Sequence, residues 1–225
     1  MAPGSREEYT LLPAIFRKRD LCKREGSLTP QTPTVKGSSD IFTYDPANPV
    51  PTHGGPLCCD RERMAAGPMD QRSVEERNDV LVYTTPAFQK DFEVTGPVSL
   101  ELYVSSSAED TDFTAKLVDV WPNGYAQNLT EGILRMRYRN TQEKAEMMKL
   151  GAVYPIMIDM AGTSNVFLAG HKLRLEVSSS NFPRFDRNLN TGEEQASSSR
   201  MVKATNTVWH DQTHSSALIL PVVPQ

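Results

Sequence analysis

The chain has 225 residues, 38% hydrophobic and 23% charged, with a formal net charge of −4. This is the composition of a folded globular protein rather than a disordered one, and the length suits one large all-β domain with an extension. The mild acidity and the absence of a basic stripe with interleaved aromatics argue against a nucleic-acid partner, and no apolar run approaches the roughly 20 residues of a membrane helix.

The first 40 residues read as an irregular arm. They lack the apolar core of a signal peptide, are basic over 17–24, and then run through Gly, Ser, Thr and Pro from Gly26 to Ser39 with little to bury. Residues 41–225 read as the folded domain. In Tyr44–Gly55, YDPANPVPTHGG, three prolines set an extended path and two glycines permit a tight bend. A further loop over Cys58–Pro68 follows, and from Asp70 strand signals come one after another.

Val80–Tyr83 is short and apolar, and Phe92–Val94 runs into Gly96-Pro97, which predicts a turn. Val98–Val104 alternates, with Val98, Leu100, Leu102 and Val104 on one face. Phe113–Trp121 is a strand ending in Asn123-Gly124, a strong hairpin signal. Ile133–Arg139 alternates Leu134, Met136 and Tyr138 against Arg135, Arg137 and Arg139, which predicts a basic row on a solvated or salt-bridged strand face, with a docking surface for another domain as the second option. Thr141–Leu150 contains helix formers but no apolar stripe. Val153–Ile158, Val166–Leu168, Leu173–Val177 and Ala217–Val222 complete about eight strands, the pattern of a β-sandwich or jelly roll. Leu173, Leu175 and Val177 oppose Lys172, Arg174 and Glu176, as in a half-buried strand. The polar loop that follows, Ser178–Gly192, is predicted to be ordered by side chains that hydrogen-bond backbone.

Catalytic signals are weak. No G-x-S-x-G elbow is present; Gly162–Asn165 lacks the second glycine and a following helix. Of the four histidines, His171 opens a strand, His53 and His214 lie in polar loops, and His210 follows Trp209, where it would pack. Glu109–Asp112 has the paired carboxylates of a cation or acid–base site. Loop ordering is the stronger reading, because no Asp-x-Asp-x-Asp-Gly pattern occurs. Cys22, Cys58 and Cys59 are odd in number with two adjacent, a poor disulfide framework, so reduced thiols in a cytoplasmic setting are expected. His210 and His214 lack the helix that would make them ligands, and neither a metal site nor a cofactor is expected. Asn128–Thr130 fits a glycosylation sequon by chance spacing.

Several segments taken together resemble one family: Tyr44–Gly55; Asp70-Gln-Arg72 followed by Glu76–Leu81; Glu93–Pro97; Asp110–Val120; Gly132–Arg139; Thr163–Phe167; and Gly170–Gly192, GHKLRLEVSSSNFPRFDRNLNTG. The resemblance is to the C-terminal domain of the cocaine esterase and X-Pro dipeptidyl-peptidase family of serine hydrolases, and it covers roughly residues 40–223. It implies an all-β, galactose-binding-like jelly-roll β-sandwich with an irregular N-terminal extension. The family's catalytic Ser, Asp and His belong to a preceding α/β-hydrolase domain, so the resemblance places no catalytic residue in this chain. It implies that domain as the partner, and it implies that the sandwich stabilises it and shapes substrate access. The turn Pro49–Gly55 and the step Pro56–Cys59 are the expected contact, with His53, Leu57, Cys58 and Cys59 as contact or pocket-lining residues. Alone, the chain is expected to be inactive on esters and X-Pro peptides. A sandwich without its partner exposes an apolar face, which makes a homo-oligomer the other option. The alternative reading is a free-standing carbohydrate- or protein-binding module, with Trp121, Tyr125, Phe182 and Trp209 as its platform.

Overall fold

A computed structural model describes residues 9–13, 25–57 and 65–224. In chain order its elements are β1 (Tyr9–Pro13), β2 (Glu25–Ser27), β3 (Ser39–Tyr44), a single-turn helix α1 (Arg72–Glu75), β4 (Leu81–Thr84), β5 (Phe92–Ser106), β6 (Asp112–Val120), β7 (Ala126–Arg135), a 3₁₀ turn (Met136–Tyr138), β8 (Tyr154–Phe167), β9 (Lys172–Ser178), β10 (Ala204–Trp209) and β11 (Ala217–Pro221). They form a β-sandwich. One sheet has six strands in the order β1-β11-β5-β10-β3, with β8 pairing with β5; the other has five, β2-β4-β9-β6-β7.

The alternation along β5 explains the layering. Val98, Leu100, Leu102 and Val104 are each at most 1% exposed, and each such burial is worth about 1.5–3 kcal/mol. They meet Phe113, Ala115 and Leu117 from β6 and Leu173, Leu175 and Val177 from β9 in one continuous core. Phe42 of the first sheet meets Phe113 of the second edge to face, with ring centroids 6.5 Å apart.

Several expectations change. Gly96-Pro97 is no turn: β5 runs through it for 15 residues, with a register shift between Pro97 and Ser99. Gly96 has φ 138°, and a Cβ there would lie 2.9 Å from the Pro221 side chain, so the glycine signals a bulge and close approach rather than a reversal. Likewise, Val153–Ile158 and Val166–Leu168 belong to one strand, β8, which pairs with β5 along its length. Thr141–Leu150 contains no helix; its backbone makes tertiary bonds instead, Glu146 N–H to Arg137 O (2.8 Å) and Met148 N–H to Glu109 O (2.8 Å). The arm expected over residues 1–40 contributes strands to both sheets. Tyr9–Pro13 pairs antiparallel with β11 and Glu25–Ser27 parallel with β4. Edge pairing of this kind uses backbone groups and needs no hydrophobic alternation, so composition gave no sign of it. The Asn123-Gly124 hairpin forms as expected, with Gly124 N–H donating to Trp121 O (2.9 Å) and Trp121 N–H to Tyr125 O (2.9 Å).

Candidate functional site

Two loops that are distant in sequence form one unit at the end of the five-stranded sheet where β9 finishes. Val50 to Thr52 runs beside Asn181 to Arg184. Phe182 N–H donates to Val50 O (2.9 Å) and Thr52 N–H to Phe182 O (2.7 Å), Val50 N–H to Ser180 Oγ (2.8 Å) and Arg184 N–H to Thr52 Oγ1 (3.1 Å). The proline-rich segment therefore has an ordered strand-like course, as three residues restricted in φ favour.

Beyond Thr52 the chain bends at Gly54 (φ 72°) and Gly55 (φ 91°). A Cβ on Gly54 would lie 2.5 Å from Gly67 O, so both conformation and space require glycine there. Gly55 and Gly67 exchange backbone hydrogen bonds of 2.8 and 2.9 Å, which closes the base of the loop between them. Beneath this base lies Glu131 of β7, its side chain 3% exposed. It accepts from Asn181 Nδ2 (3.0 Å) and is ion-paired with Arg184 Nε. That contact lacks hydrogen-bond alignment; Arg184 directs its Nη1 instead to Pro56 O (2.7 Å). Opposite, Gln71, fully buried, donates from Nε2 to His53 O (2.8 Å) while its Oε1 accepts from Lys116 Nζ (3.1 Å).

Of the expected contact residues, His53 and Leu57 are half-buried. His53 is anchored through its carbonyl, and Leu57 N–H donates to Gly55 O (2.8 Å). Cys58 and Cys59 lie outside the described residues, as does Cys22.

The loop after β9 is held by a second network. Asn188 Nδ2 donates to Asp110 Oδ2 and Asp112 Oδ1, both at 2.7 Å. Arg137 donates from Nε to Asp110 Oδ2 (2.7 Å). Arg135 is bidentate to Asp112, 2.9 Å at each oxygen, the strong planar geometry of this pairing. Tyr44 Oη donates to Asn188 O (3.0 Å). Burial pushes the Asp112 carboxyl up, opposed by Arg135 and Asn188, and burial together with the Asp112 charge raises the Tyr44 phenol. The paired carboxylates of Glu109–Asp112 thus order a loop, as the stronger reading held. The basic row does not lie on one strand face, because β7 ends at Arg135 and the 3₁₀ turn carries Arg137 inward to Asp110, but its arginines are salt-bridged as expected, Arg135 to Asp112, Arg137 to Asp110 and Arg139 to Glu146.

The four expected platform aromatics do not converge. Trp121 (41% exposed) meets Tyr125 edge-on at 5.3 Å, at the hairpin end of β6. Phe182 follows β9 near the other end of β6, which pairs through Thr114 with Ser178; strand rise puts the two places roughly 25 Å apart. Trp209 belongs to β10 in the other sheet and donates from Nε1 to Ser105 Oγ (3.1 Å). Side-chain alternation within single strands could not foresee this, because it carries no information on which ends meet.

Three of the four histidines pair with aspartates. His171 Nδ1 lies 2.9 Å from Asp119 Oδ1, and His214 Nδ1 3.2 Å from Asp211 Oδ1. His210 does not lean on Trp209; its Nε2 is 3.1 Å from Asp40 Oδ2, while the Trp209 ring faces His214 at 5.8 Å. Gly162–Asn165 is no elbow but part of β8, and Ser164 Oγ lies 3.1 Å from Thr95 Oγ1. Asn128 of the sequon is 5% exposed and accepts from Met69 N–H (2.6 Å). Among the described residues no cluster of three or more His, Cys, Asp or Glu has metal-site geometry. Asn188 belongs to the loop predicted to be ordered and does order it, whereas the sequence reading missed Glu131 and Gln71: single polar residues whose partners lie tens of residues away leave no local pattern.

These networks hold loops in place. The family model described as the X-Pro dipeptidyl-peptidase C-terminal non-catalytic domain matches residues 2–219, and the chain belongs to that family. It is 49% identical over 190 residues to cocaine esterase from Rhodococcus sp. (strain MB1 Bresler), an alignment covering 83% of this chain and 32% of that protein. Among solved structures it is similar to an aminopeptidase from a marine sediment archaeon, Thaumarchaeota archaeon (29% identity, TM-score 0.84, 96% of this chain and 37% of that one). It is also similar to an alpha-amino acid ester hydrolase (26% identity, TM-score 0.80, 95% and 36%). The chain thus spans about a third of the length of these relatives.

Proposed function

We propose that the chain acts as the C-terminal accessory domain of a serine esterase or X-Pro peptidase, stabilising an α/β-hydrolase domain and shaping access to its substrate pocket through the segment after Gly55. The observation that carries this reading is the loop base. Two glycine hydrogen bonds, the Glu131–Arg184 pair and the Gln71 side chain fix the backbone from His53 to Leu57. A sandwich needing only to bury its core would dispense with them, since such groups cost free energy to desolvate. Leu57, with Cys58 and Cys59 beyond it, is the segment that would meet the partner domain. The parent chemistry is nucleophilic acyl transfer through an acyl-serine, with an oxyanion hole and no metal.

The test has two arms. The chain alone is expected to show no turnover of ester or X-Pro substrates; activity that survives repurification and is blocked by a serine-directed inhibitor overturns the accessory role. In the full-length enzyme, Leu57→Ala is expected to change KM for substrates with bulky acyl groups more than for small ones. An unchanged profile overturns the pocket contact.

A further inference from the structure

We infer that Glu131 and Arg184 form a positioning clamp that sets how Pro56 and Leu57 are presented to the hydrolase domain, and so tunes which acyl groups the joined enzyme accepts. This rests on the reading above.

The pair joins three pieces of chain that meet nowhere else in sequence: β7 through Glu131, the segment after β9 through Asn181 and Arg184, and the loop base through Gly55 and Pro56. The loop backbone lies hard against the carboxylate, since a Cβ on Gly55 would stand 3.1 Å from Glu131 Oε1. Arg184 is held on its remaining sides. Its own N–H donates to Thr52 Oγ1 (3.1 Å), and its guanidinium lies over the Phe185 ring, 4.9 Å from the centroid. With Nη1 donating to Pro56 O and Nε in ion-pair contact with Glu131, the guanidinium spans a carbonyl and a carboxylate at once, which a lysine ammonium on its flexible stem cannot reproduce at the same two points.

A buried ion pair is poor evidence for stability, because apolar residues of equal volume often serve as well or better. One whose free donor is spent on a loop carbonyl is better explained by placement. Glu131 and Arg184 are positioning residues here, acting through Pro56 and Leu57. Displacement of a substrate-facing segment by about 1 Å costs up to about a hundredfold in rate when it disturbs the reacting geometry. Where only a pocket wall moves, the loss falls on binding, and KM rises while kcat holds.

The experiment uses the full-length enzyme with Glu131→Gln, Arg184→Lys and Leu57→Ala. Substrates are 4-nitrophenyl esters or X-Pro 4-nitroanilides, whichever it cleaves, in a small and a bulky acyl version, and hydrogen exchange is followed at the Gly55 and Gly67 amides. Both clamp variants are expected to speed exchange at the two glycines and to raise KM for the bulky substrate about tenfold, with kcat within about twofold and the small substrate little affected. If Leu57→Ala shifts the bulky-to-small ratio and neither clamp variant does, the clamp is overturned and the accessory reading stands. If Leu57→Ala is also silent, that reading fails and the clamp with it. Unchanged exchange at Gly55 and Gly67, or an equal loss of kcat on both substrates, also overturns the clamp. Should Glu131→Gln fail to fold, Arg184→Lys keeps the charge and carries the same outcomes.

Discussion

The outer faces of the two sheets have similar alternating sequences and opposite environments. On the six-stranded sheet the outward residues are Ser99, Glu101 and Tyr103 of β5, Thr205 and Thr207 of β10, Ile41 and Thr43 of β3, and Met157 of β8, all half-buried or exposed, with Met157 at 50% and Ile41 at 59%. On the five-stranded sheet the outward residues of β9 and β6 are Arg174 (8%), Glu176 (3%) and Lys116 (5%). The segment between β3 and β4 covers them, and its Val50, Val74 and Val80 join Val82 in a second small core. A strand that alternates charged and apolar residues is therefore half-buried in one sheet and buried on both faces in the other. The decisive variable is a cover supplied from elsewhere in the chain.

Charges under a cover must be paired or neutral. Arg174 meets Glu75 Oε2 at 2.6 Å and Thr84 Oγ1 at 2.8 Å. Glu176 is pushed up to about 8 from an ordinary 4.5 by burial first and by Glu75, against the pull of Lys116 and Arg174. It holds a proton at neutral pH and so shares the space with Glu75.

The largest effect that would test this contrast is Arg174→Ala. It removes the guanidinium that Glu75 pairs with under the cover and is expected to cost about 3–5 kcal/mol in denaturant unfolding; a loss under about 1 kcal/mol would mean the cover is open to water. Next is the pH dependence of Glu176. Its folded pKa lies above its unfolded one, so the folded state holds a proton that the unfolded chain releases between about 4.5 and 8. The stability from this group is fully present below the lower value and is lost as pH rises through the upper one. Glu176→Gln is expected to flatten the fall in Tm across that window, and a slope equal to wild type would show the carboxylate to be solvated. The smallest effect belongs to the open sheet: Thr43→Ala is expected to change stability by no more than about 0.5 kcal/mol. A larger loss would show that face to be covered too.

Leu173, Leu175 and Val177 read as core and are core; Arg174 and Glu176 read as solvent-facing and are not. Both readings used the same period of two, which reports which residues share a side but not what lies beyond it. Gly96-Pro97 read as a turn because glycine and proline break strands, whereas pairing with β8 on one side and Pro221 against the glycine on the other carried the strand through as a bulge. Tyr44–Gly55 was legible as an ordered extended path, because proline and glycine restrict or free the backbone locally. Its clamp was not legible, since Arg184 lies 128 residues from Pro56 and Glu131 joins the two only in the fold.

The amino-acid sequence by itself determined the all-β class, the core faces of β5, β6 and β9, the hairpin at Asn123-Gly124 and, through motifs recurring in order, the family. Each rests on local periodicity, local backbone preference or linear order, which need no partner to be read. Only the tertiary structure decided that the N-terminal segments complete both sheets, that one outer face is roofed and charged while the other is open, and that Glu131, Arg184 and Gln71 hold the backbone from His53 to Leu57. These are meetings of residues far apart in the chain. A buried charge declares its purpose only when its partners are in place, because its desolvation cost is the same wherever it is written in the sequence.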